Sequence, residues 1–175
     1  MIDEVPEDLI SEATTFLLTY KKDLIGRENL NDCILNRPEL NDLKEKVFLP
    51  KFDKYLTETC NKRLDDWNHR LNGWLVSYGE GTSLNYHNHR GSQLSSVLYI
   101  IADSEDNGGD IIFTDPRQNA NRGYDPLFNE WFEPFRFKPK CAEIVIFPSF
   151  LYHFVETYGS NVRLAMPVDL FLFKK

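Results

Sequence analysis

From residue 73 onward the chain is a series of short, strongly apolar segments, and no other feature limits the possible folds as much. Each segment is rich in β-branched and aromatic residues, as in WLVSYG, LSSVLYII, DIIFT, EIVIFP and RLAMPVDLFLF. Turn signals such as GEGT, DNGGD and TYGSN separate the segments. Short strands separated in this way favour a sandwich or a barrel over alternating β-α units.

The N-terminal part of the chain predicts helices instead. Apolar side chains recur at three- and four-residue spacing over residues 6–24, which indicates an amphipathic helix. A second helical pattern covers residues 40–64, and Pro50 is predicted to begin a new helix within it, because proline lacks the N–H of an interior position. The DDWNHRLN segment is also interpreted as helical, with His69 as a structural residue.

Length and composition indicate one globular domain. With 175 residues, of which 42% are hydrophobic, the chain is long enough to bury a sizeable core. We expect residues 1–66 to form helical support and residues 67–175 to form the β-rich core of the same domain. The net charge of −7 argues against nucleic acid as a partner, because phosphate contacts need clustered Lys and Arg.

Three features favour a cytoplasmic protein without a membrane partner. Cys33, Cys60 and Cys141 are odd in number and scattered, which is typical of free thiols in a reducing compartment. No apolar run approaches the ~20 residues that span a bilayer. The N-terminal sequence MIDEVPEDLI is acidic and lacks the basic segment of a signal peptide. We therefore expect a cytoplasmic location, which is the host cytoplasm if a phage encodes the chain.

The longest segment without a helix or strand pattern spans residues 115–138. It carries four aromatic residues, Tyr124, Phe128, Trp131 and Phe132. A long aromatic loop in a compact domain is often a lid or a binding loop. We expect this loop to decide which substrate is accepted.

Two of the four histidines, His87 and His89, lie two residues apart in LNYHNHRGS. Residues at that spacing on a strand project to the same face, so a strand end can present both imidazoles to one point. His153, after the apolar EIVIFP segment, is the third candidate ligand. Three ligands on one face leave the other metal positions open for substrate and oxygen. A single histidine taken alone is more often a surface or hydrogen-bonded residue.

Arg163 follows His153 by ten residues in HFVETYGSNVR. We predict that His153 ends one strand, that Arg163 lies on the next, and that a tight turn at YGSN places them side by side inside the barrel. An interior arginine needs a counter-charge, which a dicarboxylate ligand supplies through a bidentate contact. A salt bridge to a distant Asp or Glu is the alternative explanation.

Over about residues 67–175 these motifs resemble the 2-oxoglutarate- and iron(II)-dependent oxygenase superfamily. The likeness is to its prolyl-hydroxylase-like branch and to a short group found in bacteria and cyanophages. WNHRLNGWLVSYGEGTSLNYHNH is similar to the segment that leads into the family's first metal motif. LSSVLYIIADSEDNGGDIIFTDPR is similar to its tyrosine strand and Gly-Gly-acidic turn, and CAEIVIFPSFLYHFV to the strand with the distal histidine.

The resemblance implies a fold, a cofactor set and a reaction. The implied fold is a double-stranded β-helix, a cupin-like jelly roll braced by the N-terminal helices. The implied cofactors are Fe(II), the co-substrate 2-oxoglutarate and O2, and the implied reaction couples oxidative decarboxylation of 2-oxoglutarate to hydroxylation of a protein side chain or a small metabolite. His87 and His153 would bind iron. Arg163 would bind the distal carboxylate of 2-oxoglutarate, with help from Tyr99 and Tyr78.

Two positions depart from the family pattern. The superfamily usually has His-x-Asp or His-x-Glu, whereas here His89 occupies the carboxylate position. We favour His89 as the third ligand because its offset from His87 matches the expected spacing, and water or Asp115 are the alternatives. Ala165 stands where many relatives place a hydroxyl that contacts 2-oxoglutarate.

Three functions remain open on the sequence. A 2-oxoglutarate-dependent dioxygenase comes first. A three-histidine dioxygenase that needs no 2-oxoglutarate comes second, although Arg163 speaks against it. The third is a non-catalytic jelly-roll module for metal binding or interaction, and His89 in place of a carboxylate keeps that possibility open.

Overall fold

The computed structural model describes residues 1–23, 33–102, 107–117, 134–160 and 162–175. Within these residues the helices lie in the first 66 positions of the chain. The α-helices are α1 (Glu7–Asp23), α2 (Asn41–Leu43) and α3 (Leu49–Cys60), and short 3-10 turns occupy Ile34–Asn36, Pro38–Leu40 and Leu64–Asp66. The predicted helix over residues 6–24 is confirmed by α1.

Pro50 lies in the first turn of α3, as predicted. The preceding turn, Lys44–Phe48, is a π-helix that joins α2 to α3 without a break in the helical path. Proline donates no N–H to the carbonyl one turn earlier, and a widened turn is a common way to accommodate that missing bond. The second helical pattern is therefore two helices with a π turn between them.

Ten strands form two antiparallel sheets in the described part of the chain. The strands are β1 (Ile2–Glu4), β2 (Asn68–Gly73), β3 (Val76–Tyr78), β4 (Leu84–His87), β5 (Leu94–Ile101), β6 (Ile111–Phe113), β7 (Phe135–Phe137), β8 (Glu143–Pro148), β9 (His153–Val155) and β10 (Arg163–Phe173). The major sheet has the order β1-β8-β5-β10-β2, with β3 also paired to β10. The minor sheet has the order β4-β9-β6-β7.

The helical interpretation of DDWNHRLN was wrong. Residues Asn68–Gly73 form β2, and His69 pairs with Leu172 of β10 in antiparallel register. The side chain of His69 is exposed on this edge strand. Pairing with the eleven-residue strand β10 overrides the local helical pattern, because alternate residues of β2 gain cross-strand hydrogen bonds that the sequence window does not reveal.

The two faces of β10 pack against different layers. Leu164, Met166 and Val168 belong to a core that also contains Leu17 of α1 and Phe52 of α3. The helices thus cover the outer face of the major sheet. The alternate residues of β10 point the other way, because side chains alternate along a strand.

The inner face of β10 meets the minor sheet. Ala165 packs there with Tyr99 of β5, Phe147 of β8 and Phe113 of β6 in a second core between the sheets. Arg163 and Asp169 are buried polar residues at odd-numbered positions of the same strand. The inter-sheet space therefore combines an apolar core with a few buried polar groups.

The structure also bears on the predicted loop, on the three cysteines and on membrane crossing. Residues 134–138 of the predicted 115–138 loop include the strand β7, and the aromatic residues Tyr124, Phe128, Trp131 and Phe132 lie outside the described residues. Cys33, Cys60 and Cys141 are free thiols. Among the described residues, no helix is long and apolar enough to cross a membrane.

Candidate metal and co-substrate site

The fold brings the three predicted histidine ligands together. His87 is the last residue of β4, His89 follows two residues later, and His153 is the first residue of β9. One ligand atom from each ring lies within 4.8 Å of the others. The ring centroids of His87 and His153 are 4.3 Å apart, and those of His89 and His153 are 5.2 Å apart. This cluster is called the histidine triad below.

A β-bulge in β4 sets the position of His87. Leu84 pairs with Val155 of β9, yet His87 pairs with His153, so β4 has one more residue than β9 between the two pairs. Without the bulge, the antiparallel register would place Tyr86 opposite His153. The extra residue turns His87 inward and leaves Tyr86 exposed, stacked on Tyr152 with ring centroids 4.9 Å apart.

Each ring of the triad already uses its Nδ1 atom. The Nδ1 of His87 lies 2.6 Å from the Asn85 carbonyl oxygen, and that of His153 lies 3.0 Å from the Leu151 carbonyl oxygen. A carbonyl only accepts, so each Nδ1 donates and each Nε2 keeps its lone pair. The Nε2 atoms are therefore free to bind a metal, in the tautomer that metal-binding histidines commonly have.

The third ring is held by a carboxylate that the sequence analysis did not single out. His89 Nδ1 donates to Asp169 Oδ1 at 2.6 Å. A single acidic residue inside the apolar strand RLAMPVDLFLF, six residues after Arg163 and therefore on the same face, was the signal that could have revealed it. Its partner could not be read from the sequence, because His89 lies 80 residues away.

Burial favours the neutral form of two rings of the triad, His87 and His153. Burial first, and then the neighbouring His87 and His89, lower the pKa of His153 to about 4. Burial also lowers the pKa of His87. Neutral imidazoles at pH 7 need not lose a proton before a metal binds.

Aromatic rings surround the triad on its inner side. Phe147 of β8 lies edge-on to His153 with ring centroids 5.0 Å apart, and Phe113 of β6 lies 5.3 Å from His153. Trp74 lies 5.6 Å from His89. These apolar walls reduce contact with water, so a metal in this site would have few competing solvent ligands from that side.

Arg163, the predicted co-substrate residue, is buried at the start of β10 with only 3% of its surface exposed. Its Nη1 donates to the Gly109 carbonyl and its Nη2 to the Gly108 carbonyl, the latter at 3.1 Å. The guanidinium carbon lies 4.3 Å from the ring centroid of Tyr158. The Nε atom is buried without a hydrogen-bond partner. Among the described residues no carboxylate pairs with this cation, so the salt-bridge explanation finds no support there.

The two predicted tyrosines lie beside Arg163. Tyr78 of β3 is its cross-strand partner, and Tyr99 of β5 pairs with Ala165. Burial raises the pKa of Tyr78 to about 12, and the pKa of Tyr99 is raised further by more complete burial. Both phenols therefore stay protonated at neutral pH and can donate a hydrogen bond to an anion.

The predicted turn between His153 and Arg163 was wrong in its details. His153 begins β9 instead of ending it, and β9 and β10 lie in different sheets. The connection crosses from the minor to the major sheet, so the two residues are not cross-strand neighbours. Both side chains are nevertheless buried.

Asp115, the alternative third ligand, lies outside the triad. Its Oδ1 accepts from the backbone N–H of Arg117 at 2.8 Å and from the Nε of the same residue at 2.9 Å. These bonds hold the carboxylate in a local turn. Among the described residues, the only cluster with the donors for a metal consists of His87, His89 and His153.

The donor set suits iron(II). Imidazole nitrogen is a common ligand for iron, and three donors on one side leave other coordination positions open. Across the inter-sheet space, the buried Nε of Arg163 lacks a partner that an anionic ligand would provide. The residues therefore fit a metal together with a carboxylate-bearing co-substrate.

Comparison with protein families identifies the chain. A sequence model of the 2OG-Fe(II) oxygenase family, where 2OG is 2-oxoglutarate, matches residues 72–169, more than half of the chain. The chain belongs to this family. The matched segment contains the triad and Arg163. No curated protein matches the sequence in a separate comparison.

Solved structures show the same fold. A prolyl-4-hydroxylase from Pseudomonas putida is 16% identical with a TM-score of 0.65, over 100% of this chain and 87% of that one. A Trichoplax adhaerens prolyl hydroxylase in complex with a peptide is 16% identical with a TM-score of 0.64, over 98% and 82% of the two chains. HygX from Streptomyces hygroscopicus, with nickel and 2-oxoglutarate bound, is 11% identical with a TM-score of 0.64, over 98% and 81%. The fold of this 2OG-Fe(II) oxygenase family member is the predicted jelly roll, the double-stranded β-helix.

Proposed function

We propose that this protein is a 2-oxoglutarate-dependent hydroxylase. It would convert a substrate C–H bond, 2-oxoglutarate and O2 into the hydroxylated product, succinate and CO2. The observation that carries this proposal is the pairing of two features in one barrel. Three imidazoles have free Nε2 atoms close together, and a buried arginine has no carboxylate partner among the described residues.

The triad would hold the metal. His87 and His153 would occupy the family's two histidine positions, and His89 would be the third ligand in place of the usual carboxylate. When bound, iron(II) supplies the redox chemistry that couples decarboxylation of 2-oxoglutarate to substrate oxidation. The chain's own contribution would be to hold three imidazole ligands in fixed orientations and to exclude water with Phe113 and Phe147.

Arg163 would bind the distal carboxylate of 2-oxoglutarate. The carbonyls of Gly108 and Gly109 fix the guanidinium, which leaves its Nε edge for an anion. The protonated phenols of Tyr78 and Tyr99 would add hydrogen bonds, and Ala165 would add none. A fixed cation in a buried site binds a carboxylate strongly because little reorganisation is needed.

The primary substrate would be a protein side chain or a small metabolite. The Trichoplax adhaerens relative, which was solved with a peptide, supports the first choice by analogy of fold alone. The free thiols of the chain support a reducing, cytoplasmic location for the activity.

The all-histidine triad also favours a second candidate, a dioxygenase that needs no 2-oxoglutarate. Arg163 would then bind a carboxylate of the substrate itself. The third candidate is a non-catalytic jelly-roll module for metal binding or for interaction with a partner. The three differ in whether iron binds and whether 2-oxoglutarate joins it.

An anaerobic titration tests the proposal. Fe(II) and 2-oxoglutarate added to the protein should give a weak visible charge-transfer band, because chelation of the metal by the oxo-acid creates that transition. His153→Ala should remove the band by removing iron. Arg163→Ala should weaken or remove it at the same iron occupancy, by raising the Kd for 2-oxoglutarate.

Two outcomes would contradict the proposal in different ways. Iron binding without a band at saturating 2-oxoglutarate would favour the three-histidine dioxygenase. Absence of any metal binding would favour the interaction module. With the band present, succinate release under air measures whether turnover occurs.

A further inference from the structure

Asp169 lies behind the metal face of the triad, and the proposed function does not require it. Its Oδ1 accepts from His89 Nδ1 and from the hydroxyl of Ser95, both at 2.6 Å. The side chains of His89 and Asp169 are only 6% and 11% exposed. Burial of a carboxylate costs free energy unless hydrogen bonds replace its contacts with water. These two hydrogen bonds therefore fix the position of the Asp169 carboxylate.

A chain of serine hydroxyls supports this carboxylate. Ser149 Oγ lies 2.8 Å from Ser95 Oγ, and Ser92 Oγ donates to Ser149 Oγ at 2.9 Å. Because Asp169 can only accept, Ser95 donates to it and Ser149 donates to Ser95. The Ser149 carbonyl also accepts the backbone N–H of His89 at 3.0 Å. The same network thus fixes both the backbone and the ring of His89.

The charge of Asp169 explains how a histidine can stand where the family usually has a carboxylate. A metal bound by three neutral imidazoles lacks the negative charge of an Asp or Glu ligand. In this chain a carboxylate lies directly behind one of those imidazoles, joined to it by a short hydrogen bond. Such a pair makes the imidazole a more basic ligand and keeps the negative charge one ring away from the metal.

We infer that Asp169 is a positioning residue that replaces the missing metal-ligand carboxylate through His89. It holds the ring in the tautomer with a free Nε2 and supplies the negative charge of the site. This inference rests on the proposed function in one respect, since His89 must be a metal ligand.

Metal affinity of the metal-free protein tests the inference without any turnover. Asp169→Asn preserves the shape and one acceptor oxygen but removes the charge. We expect it to weaken binding of Co(II) alone by about 10–100-fold, the usual effect of losing such a partner. Asp110→Asn is the matched control, because Asp110 is also a buried carboxylate, paired with Arg136 and outside the triad. Its Co(II) affinity should stay within about twofold of the unsubstituted protein.

A double-mutant cycle separates action through His89 from general support of the fold. In a His89→Ala background, Asp169→Asn should cost at most about threefold in Co(II) affinity, because its route to the metal is gone. The same fold-loss in both backgrounds would overturn the inference. If Asp169→Asn does not fold, Ser95→Ala keeps the charge and removes one donor, and it should weaken Co(II) binding in the unsubstituted background only.

The outcomes also distinguish this inference from the proposed function. If the protein binds Co(II) through His153 and Asp169→Asn has no effect, the inference fails and the metal site stands. If the protein binds no Co(II), or if His153→Ala leaves the affinity unchanged, the proposed function fails and the inference fails with it.

Discussion

The Nδ1 atoms of the three triad rings are all hydrogen-bonded, but their acceptors have two different origins. His87 and His153 each donate to the carbonyl oxygen two residues earlier in the chain, so their tautomers follow from local backbone geometry. His89 donates to Asp169, which is 80 residues away. At the scale of single residues, the local backbone sets the tautomers of His87 and His153, whereas the tautomer of His89 depends on the folded barrel.

The lowered pKa of His153 predicts how the stability of the metal-free protein depends on pH. Its pKa is about 4 in the folded protein and about 6.5 in an unfolded chain. The unfolded state therefore binds more protons between these values. The stability that depends on neutral His153 is fully present above about pH 6.5 and is lost as the pH drops toward 4. The loss that His153 contributes should be about 3 kcal/mol in the free energy of unfolding.

Urea unfolding of the metal-free protein at several pH values measures this effect. His153→Gln cannot ionise, so its free energy of unfolding should change less between pH 7 and pH 4.5 than that of the unsubstituted protein. Equal pH dependence in the two proteins would show that His153 is not held neutral by burial.

At the scale of elements, the Gly108–Gly109 turn shapes the Arg163 site. Both glycines have positive φ values, of +68° and +72°. Their carbonyls hold the guanidinium, and a Cβ on Gly109 would lie 2.5 Å from Arg163 Nη1. A side chain at either position would conflict with the backbone conformation and with a neighbour.

Gly109→Ala should separate co-substrate binding from metal binding. The new methyl group would displace the guanidinium of Arg163, which ends a flexible side chain. The Kd for 2-oxoglutarate should therefore rise about tenfold or more, because that is the expected effect of disturbing a buried charged hydrogen bond. Co(II) affinity should be unchanged. Isothermal titration with each ligand gives both values.

Two other glycines provide the controls for stability. Gly81 has a φ of +78° and open space around its Cβ position, so Gly81→Ala reports the backbone cost alone, about 1–2 kcal/mol. Gly108→Ala should cost more, because its Cβ would overlap the carbonyl oxygen of Thr157. Unchanged 2-oxoglutarate binding in Gly109→Ala would argue against Arg163 as the anchor.

At the scale of the whole molecule, helices and barrel share one core. Ile10 and Leu17 of α1 and Phe52 of α3 are buried against Leu98 of β5 and Met166 of β10. The strand β1 also pairs with β8, so the first residues of the chain extend the major sheet. The N-terminal region therefore completes the core on which the barrel depends.

Removal of residues 1–66 should prevent cooperative folding of the remainder. The deletion exposes the outer face of the major sheet, where each large apolar side chain contributes about 1.5–3 kcal/mol when buried. Thermal unfolding followed by circular dichroism should show no cooperative transition for residues 67–175. A fragment that unfolds cooperatively and binds Co(II) would show instead that the barrel is an independent domain.

Much of this organisation could be predicted from the sequence, because it depends on local pattern. The three-to-four spacing of Leu9, Ala13 and Phe16 indicated α1, and the apolar runs after residue 73 indicated the strands. The ordered motifs around His87, His153 and Arg163 indicated the family. The β2 strand was missed, because its residues resemble a helix until β10 is beside them.

The sequence by itself therefore determined most of the helix and strand segments and the set of candidate ligands. These depend on the 3.6- and two-residue periods of side-chain direction, which any short window of residues contains. Tertiary structure alone decided three further points. A one-residue bulge in β4 places His87 opposite His153, the Gly108 and Gly109 carbonyls hold Arg163, and Asp169 pairs with His89. Each of these depends on strand register and on contacts between residues far apart in the chain, which local propensity does not encode.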